Sequence, residues 1–141
     1  MNAKILVVDD NPTNLKLVSD VLAFEGHDIL KAVDAEEAQL VLADTLPDLI
    51  IMDIALPGMD GLTLTRKLKA DERTRHIRIV ALTAFAMKGD DQKAFGAGCD
   101  GYITKPIDTR KFPAQVATFL GGLPIEPGER ANSASAIPTK P

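Results

Sequence analysis

Three short runs, ILVV at residues 5–8, LIIM at 49–52 and IVAL at 79–82, are apolar without interruption and rich in β-branched side chains. A strand with one wet face alternates between apolar and polar residues. A short run that is apolar throughout predicts a strand buried on both faces, as in a parallel sheet with helices above and below. Residues 27–33 and 101–104 supply two weaker strands. Between the five runs lie segments of helical period. Leu15, Val18, Val21 and Leu22 form one stripe; Ala38, Val41 and Leu42 a second; Leu62, Leu64 and Leu68 a third; Val116, Phe119 and Leu120 a last one. Residues 88–98 are the weakest helical segment, with three glycines and few apolar positions.

Start signals agree with these helices. Asn11 before Pro12 suits an N-cap with proline at the first helical position, and Asp34 with Glu37 has the spacing of a capping box. Pro113 belongs in the first turn of the last helix, since deeper in it would remove a ladder hydrogen bond. Strands alternating with helices predict an α/β fold, a five-stranded parallel sheet covered on both faces. Residues 1–120 hold this pattern. Residues 121–141 contain four of the nine prolines and no aromatic, and their charges cancel, so a mobile tail is expected there.

The remaining composition excludes several functions. One cysteine, Cys99, rules out a disulfide framework, and two distant histidines, His27 and His76, make a histidine metal site untenable. A net charge of −4 argues against a nucleic-acid surface. No apolar run approaches the ~20 residues that span a bilayer, and the N-terminus carries no signal-peptide pattern. A cytoplasmic protein that contacts neither membrane nor nucleic acid is expected.

In open parallel sheets, ligands bind outside the carboxyl ends of the strands. Here strand one ends in Asp9-Asp10, strand three in Asp53, strand four in Thr83 and strand five in Lys105. Two carboxylates about 4–5 Å apart repel by a few kcal/mol at an effective dielectric near 20. One lysine does not offset three. A hard divalent cation does, and Mg²⁺ favours one or two carboxylates with water and phosphate oxygens. A carboxylate beside such a cation can accept a phosphoryl group, with Thr83 and Lys105 neutralising the transferred oxygens.

The motifs VVDDN (7–11), IIMDIALPGMDG (50–61), VALTA (80–84) and YITKP (102–106) together resemble the receiver domain of two-component response regulators. The match spans residues 3–120, with every motif in order at a strand end. Asn11 with Asn14, and AFAMKGD at 84–90, are most similar to single-domain receivers of the DivK kind and to the receivers of hybrid kinases.

The resemblance implies a flavodoxin-like (βα)5 doubly wound sheet of order 2-1-3-4-5. It implies that Asp53 is the phosphoacceptor and that Mg²⁺, with Mn²⁺ as a substitute, is held by Asp10 directly and Asp9 largely through water, together with Asp53 and the backbone carbonyl of Ala55. Thr83 and Lys105 would bind phosphoryl oxygens, Tyr102 would swing inward with Thr83, and the Lys105–Pro106 peptide would be cis. Ala84, small, would leave the site open to a bulky phosphohistidine donor. Ala55 replaces a polar residue frequent in relatives, which leaves the phosphorylated lifetime open. The implied partners are a sensor histidine kinase or phosphotransfer protein, docking on Asn14, Leu15, Val18 and Pro106. A downstream protein would read the face of helix four, strand five and helix five. Homodimerisation is not predicted.

Plainer roles suit other residues. Asp60-Gly61 caps a helix, Cys99 is a small buried residue, His27 sits at a strand start, and residues 73–78 form an exposed arginine-containing loop. Three other functions compete. A phosphatase of the haloacid-dehalogenase type needs a second aspartate two residues after the nucleophile, where this chain has Ala55. A flavodoxin-like electron carrier shares the fold order, but this crevice is acidic where a flavin phosphate would sit. A pseudo-receiver that only binds partners would be expected to lose part of the five-residue set. The expectation is a phosphoacceptor that catalyses only its own phosphotransfer and slow autodephosphorylation.

Overall fold

The computed structural model of the chain describes residues 3–56, 58–83, 90–105 and 107–121. Strands and helices alternate: β1 (Lys4–Val8), α1 (Pro12–Phe24), β2 (Asp28–Ala32), α2 (Ala35–Asp44), β3 (Leu49–Asp53), α3 (Gly61–Ala70), β4 (Arg78–Thr83), α4 (Asp90–Ala97), β5 (Gly101–Thr104) and α5 (Phe112–Gly121). The five strands pair in parallel in the order β2-β1-β3-β4-β5. This is the flavodoxin-like architecture expected from the sequence.

The uninterrupted apolar runs serve two cores at once. On one face Leu6, Val8, Ile50, Met52, Ile79 and Ala81 pack with residues of α2, α3 and α4. On the other Ile5, Val7, Leu49, Ile51, Val80 and Leu82 pack with Leu15, Val18 and Leu22 of α1 and Phe112 and Val116 of α5. Successive side chains point to opposite faces, so both sets must be apolar. Each fully buried large side chain contributes about 1.5–3 kcal/mol of burial free energy. The edges are thinner. β2 has only one fully buried residue, Ala32, and β5 alternates, with Gly101 and Ile103 buried and Tyr102 and Thr104 exposed.

The helix starts follow the local signals. Asn11 caps α1, its side chain accepting from the Asn14 backbone N–H at 3.0 Å, with Pro12 at the first helical position. Asp34 caps α2 by accepting from Glu37 N–H at 2.8 Å, while Glu37 Oε1 accepts from Val33 N–H at 2.8 Å. Glu37 thus reaches one residue beyond the cap that the box pattern names. Asp60 caps α3 through Thr63 N–H, and Pro113 lies in the first turn of α5. His76 is exposed, but Thr74 and Ile77 in the same polar run turn inward. The Arg73 guanidinium there donates to the Ala43 carbonyl at 3.2 Å. Of the expected tail, Gly121 closes α5 and the rest lies outside the described residues. No described helix is long and apolar enough to cross a membrane.

Candidate functional site

The register of the sheet brings the strand ends together. Val8 lies beside Met52, Asp53 beside Leu82, and Thr83 beside Thr104. One residue further along, Asp9, Asp53, Thr83 and Lys105 therefore meet around one crevice. One carboxylate oxygen from each of Asp9, Asp10 and Asp53 lies within 4.8 Å of the others. Asp9 is 0% exposed and Asp53 3%, while Asp10 is open to solvent.

Lys105 reaches into this cluster. Its Nζ lies 3.1 Å from Asp53 Oδ2, to which it donates, and 3.4 Å from Asp9 Oδ2. Asp53 Oδ1 accepts from the Ala55 backbone N–H at 3.0 Å. Burial pushes the Asp53 carboxyl above the ordinary range; the Ala55 N–H opposes this, neighbouring Asp9 adds to it, and Lys105 pulls it back. The donor set fits a hard divalent cation. Three carboxylate oxygens share a small space, two of the groups are buried, and among the described residues one ammonium, that of Lys105, faces them. Thr83, nearly buried, closes β4, and its carbonyl accepts from the Lys105 N–H at 2.7 Å. The backbone thus ties together the two residues expected to meet phosphoryl oxygens.

Not every expected site residue converges here. Tyr102 lies outward at 37% exposure, its ring edge-on to Phe95 with centroids 6.1 Å apart. Ala84, Pro106 and the Lys105–Pro106 peptide fall outside the described residues. The docking role expected of Leu15 and Val18 is corrected: Leu15 is 8% and Val18 0% exposed, both packed on the sheet through the α1 stripe. Side chains that supply the inner face of an amphipathic helix offer nothing to a partner. Asn14 also turns inward, its side-chain amide donating to Asp9 Oδ2, a contact the motif spacing did not reveal.

Gly61 is another residue with more than the expected capping role. A Cβ placed on it would lie 2.2 Å from the Asp53 carbonyl oxygen, and its N–H donates to the Ile54 carbonyl at 3.0 Å. The first turn of α3 therefore presses its backbone against the backbone of Asp53. The signal was available: glycine is a poor helix former, so glycine opening a helix marks a close approach.

The comparisons agree with this geometry. The family model described as response regulator receiver domain matches residues 5–117. The polar-differentiation response regulator DivK of Brucella ovis is 40% identical over 121 residues, covering 86% of this chain and 98% of that protein. The signal receiver domain of a signal transduction histidine kinase from Syntrophus aciditrophicus superposes with a TM-score of 0.80 at 30% identity, covering 94% of this chain and 98% of the other. A receiver domain of a sensor histidine kinase from Pseudomonas aeruginosa PAO1, described with a magnesium ion coordinated in its active site cleft, superposes with a TM-score of 0.78. It is 31% identical and covers 86% of this chain and 99% of its own. With the acidic strand ends, Lys105 facing them and the 2-1-3-4-5 sheet all in place, this chain belongs to the receiver domain family of two-component response regulators.

Proposed function

We propose that this chain works as a cytoplasmic receiver, with residues 1–120 as the working domain, that accepts a phosphoryl group on Asp53. The donor is the phosphohistidine of a sensor kinase or phosphotransfer protein. The observation that carries this reading is the buried Asp53 carboxylate, held between Lys105 Nζ at 3.1 Å and the Ala55 N–H at 3.0 Å, within a three-carboxylate cluster. Asp9, Asp10 and Asp53, with the Ala55 carbonyl, would hold Mg²⁺. When bound, the ion supplies positive charge against the carboxylates and the transferred phosphoryl oxygens.

The chain's own residues do the rest. Asp53 attacks phosphorus as the P–N bond of the phosphohistidine breaks; the electron pair stays with the departing imidazole and a P–O bond forms on the carboxylate, giving an acyl phosphate. Lys105 holds the carboxylate and then pairs with a phosphoryl oxygen, and Thr83 donates its hydroxyl to another. Because Thr83 and Lys105 share a backbone hydrogen bond of 2.7 Å, movement of Thr83 towards the phosphoryl group shifts the start of the loop after β5. Tyr102 swings inward from its exposed position, and the face of α4, β5 and α5 changes what it binds.

A phosphatase acting on external esters lacks its acid. Position 55 offers only backbone groups and a methyl.

Intact mass after incubation with a small acyl-phosphate donor tests the proposal. A phosphoryl adduct on wild type that requires Mg²⁺ and is absent in Asp53→Asn is the expected result. No adduct on folded protein would make the acidic cluster a structural feature and the chain a partner-binding module.

A further inference from the structure

We infer that Asn14 is a positioning residue that acts through Asp9, orienting this carboxylate for the divalent cation, instead of a residue that docks the phosphodonor protein. The inference rests on the cation site of the proposed function.

Asp9 is fully buried, so its oxygens must find partners within the protein. A carboxylate offers about four acceptor positions over two oxygens. Oδ1 accepts from the Asn11 backbone N–H at 2.9 Å. Oδ2 accepts from the Asn14 side-chain amide and faces Lys105 Nζ at 3.4 Å. Two of these three partners are neutral and belong to the cap and first turn of α1. They fix the plane of the carboxylate without placing a competing charge beside it. Lys105 is the one partner that also serves Asp53, so it can turn to a phosphoryl oxygen while Asn11 and Asn14 keep Asp9 in place.

Helix geometry explains why position 14 can do this. Asn11 is the cap of α1, and Asn14 lies one turn in, so its side chain leans back over the end of β1. Its backbone N–H is already engaged with the Asn11 side chain, which fixes the residue at its main chain. The side-chain amide is thus free for Asp9 alone among the described hydrogen bonds. A docking residue would present that amide to solvent.

Groups that orient metal ligands typically change metal affinity 10–100-fold when removed. Asn14→Ala should therefore weaken Mg²⁺ binding to the isolated chain by about that factor. Binding is read by the Mg²⁺-induced shift of the Asp10 and Asp53 backbone amide resonances. Phosphorylation by a small acyl-phosphate donor at sub-saturating Mg²⁺ should fall in proportion and recover at saturating Mg²⁺. Alanine is a strong helix former, so the variant keeps α1, and its melting curve confirms folding. In wild type, the Asn14 side-chain amide resonances should shift during the Mg²⁺ titration with the same midpoint as Asp10.

Unchanged Mg²⁺ affinity in Asn14→Ala, with loss of phosphotransfer only from a phosphohistidine protein, would overturn the inference and restore the docking role. Lowered thermal stability with unchanged Mg²⁺ affinity would overturn it too, leaving Asn14 a structural residue. If wild type itself bound no Mg²⁺, the cation site of the proposed function would fail, an outcome distinct from both.

Discussion

The centre of the sheet and its β5 edge open onto the same crevice, yet they are built to different standards. In β3 every residue is buried, including Asp53, and β1 runs straight into the fully buried Asp9. These strands are covered by α1 and α5 on one side and by α2 and α3 on the other. At the edge, β5 has four residues and alternates between buried and exposed positions. Neighbouring α4 has eight residues, contains Gly96, and leaves Phe95 half exposed against Tyr102. The centre fixes charged groups that repel one another, which requires a scaffold that does not yield. Among the described residues the edge leaves Phe95 and Tyr102 partly exposed, and a contact of a few kcal/mol at Thr83 or Lys105 would be enough to repack it.

The largest expected contrast comes from removing the same side chain in the two regions. Phe112→Ala, in the core between α5 and the sheet, should lower unfolding free energy by about 3–5 kcal/mol. Phe95→Ala should lower it by about 1 kcal/mol or less, since the ring is half solvated and loses mainly its edge contact with Tyr102. Denaturant unfolding of both variants measures the difference. Similar losses would show that the edge is as tightly packed as the centre.

Gly61→Ala should come next, at about 1–3 kcal/mol, because the methyl group meets the Asp53 carbonyl and neither backbone can step aside. Its particular mark is chemical: displacing the Asp53 backbone should slow formation of the phosphoryl adduct beyond what the stability loss explains. An unaltered adduct rate on the folded variant would show that α3 can shift without moving Asp53.

Asp53→Asn tests the electrostatics of the centre. The folded carboxyl titrates above its unfolded value, chiefly through burial. The folded state therefore binds more protons than the unfolded chain between the ordinary value of 3.8 and the raised one. Its contribution to stability is full below 3.8 and is lost as pH rises through the folded value. Without divalent cation, Asp53→Asn should raise the melting temperature at neutral pH and give no gain at acid pH. A lowered melting temperature at neutral pH would mean that the Lys105 pairing outweighs burial.

The smallest effect belongs to His27, beside β2. Its Nδ1 accepts from the Ala3 N–H at 3.1 Å, and burial lowers its pKa from 6.5. The contribution of the neutral ring is present above 6.5 and is lost as pH falls through the folded value. A proton-detected titration should find His27 titrating below the ordinary imidazole value of 6.5. A midpoint at or above that value would remove the burial of the His27 ring from the account.

Much of this was legible in the sequence because two simple constraints act on the same residues. Runs such as LIIM at 49–52 must feed two cores, which specifies a covered parallel sheet. The residues that end those runs must then lie at one edge, which specifies the site. The inward turn of Asn14 was not legible in that way, and Gly61, a glycine opening a helix, hinted at a close approach without naming Asp53 as the neighbour. Both depend on how a helix start leans over a strand end, which spacing alone does not encode. The error over Leu15 and Val18 has the same origin. The stripe that identified α1 was its buried side, and a buried side cannot also be the face a partner meets. At the edge, Gly101 and Ile103 take the inner positions of GYIT, which leaves Tyr102 outward.

Hydrogen exchange resolved by residue, on the phosphorylated and unphosphorylated chain in Mg²⁺, tests the division between centre and edge most directly. The account predicts that amide protection in β1 and β3 stays within about twofold while that in β5 and α4 changes by about tenfold or more, equivalent to roughly 1.4 kcal/mol. Equal changes across all five strands, or changes confined to β1 and β3, would contradict it.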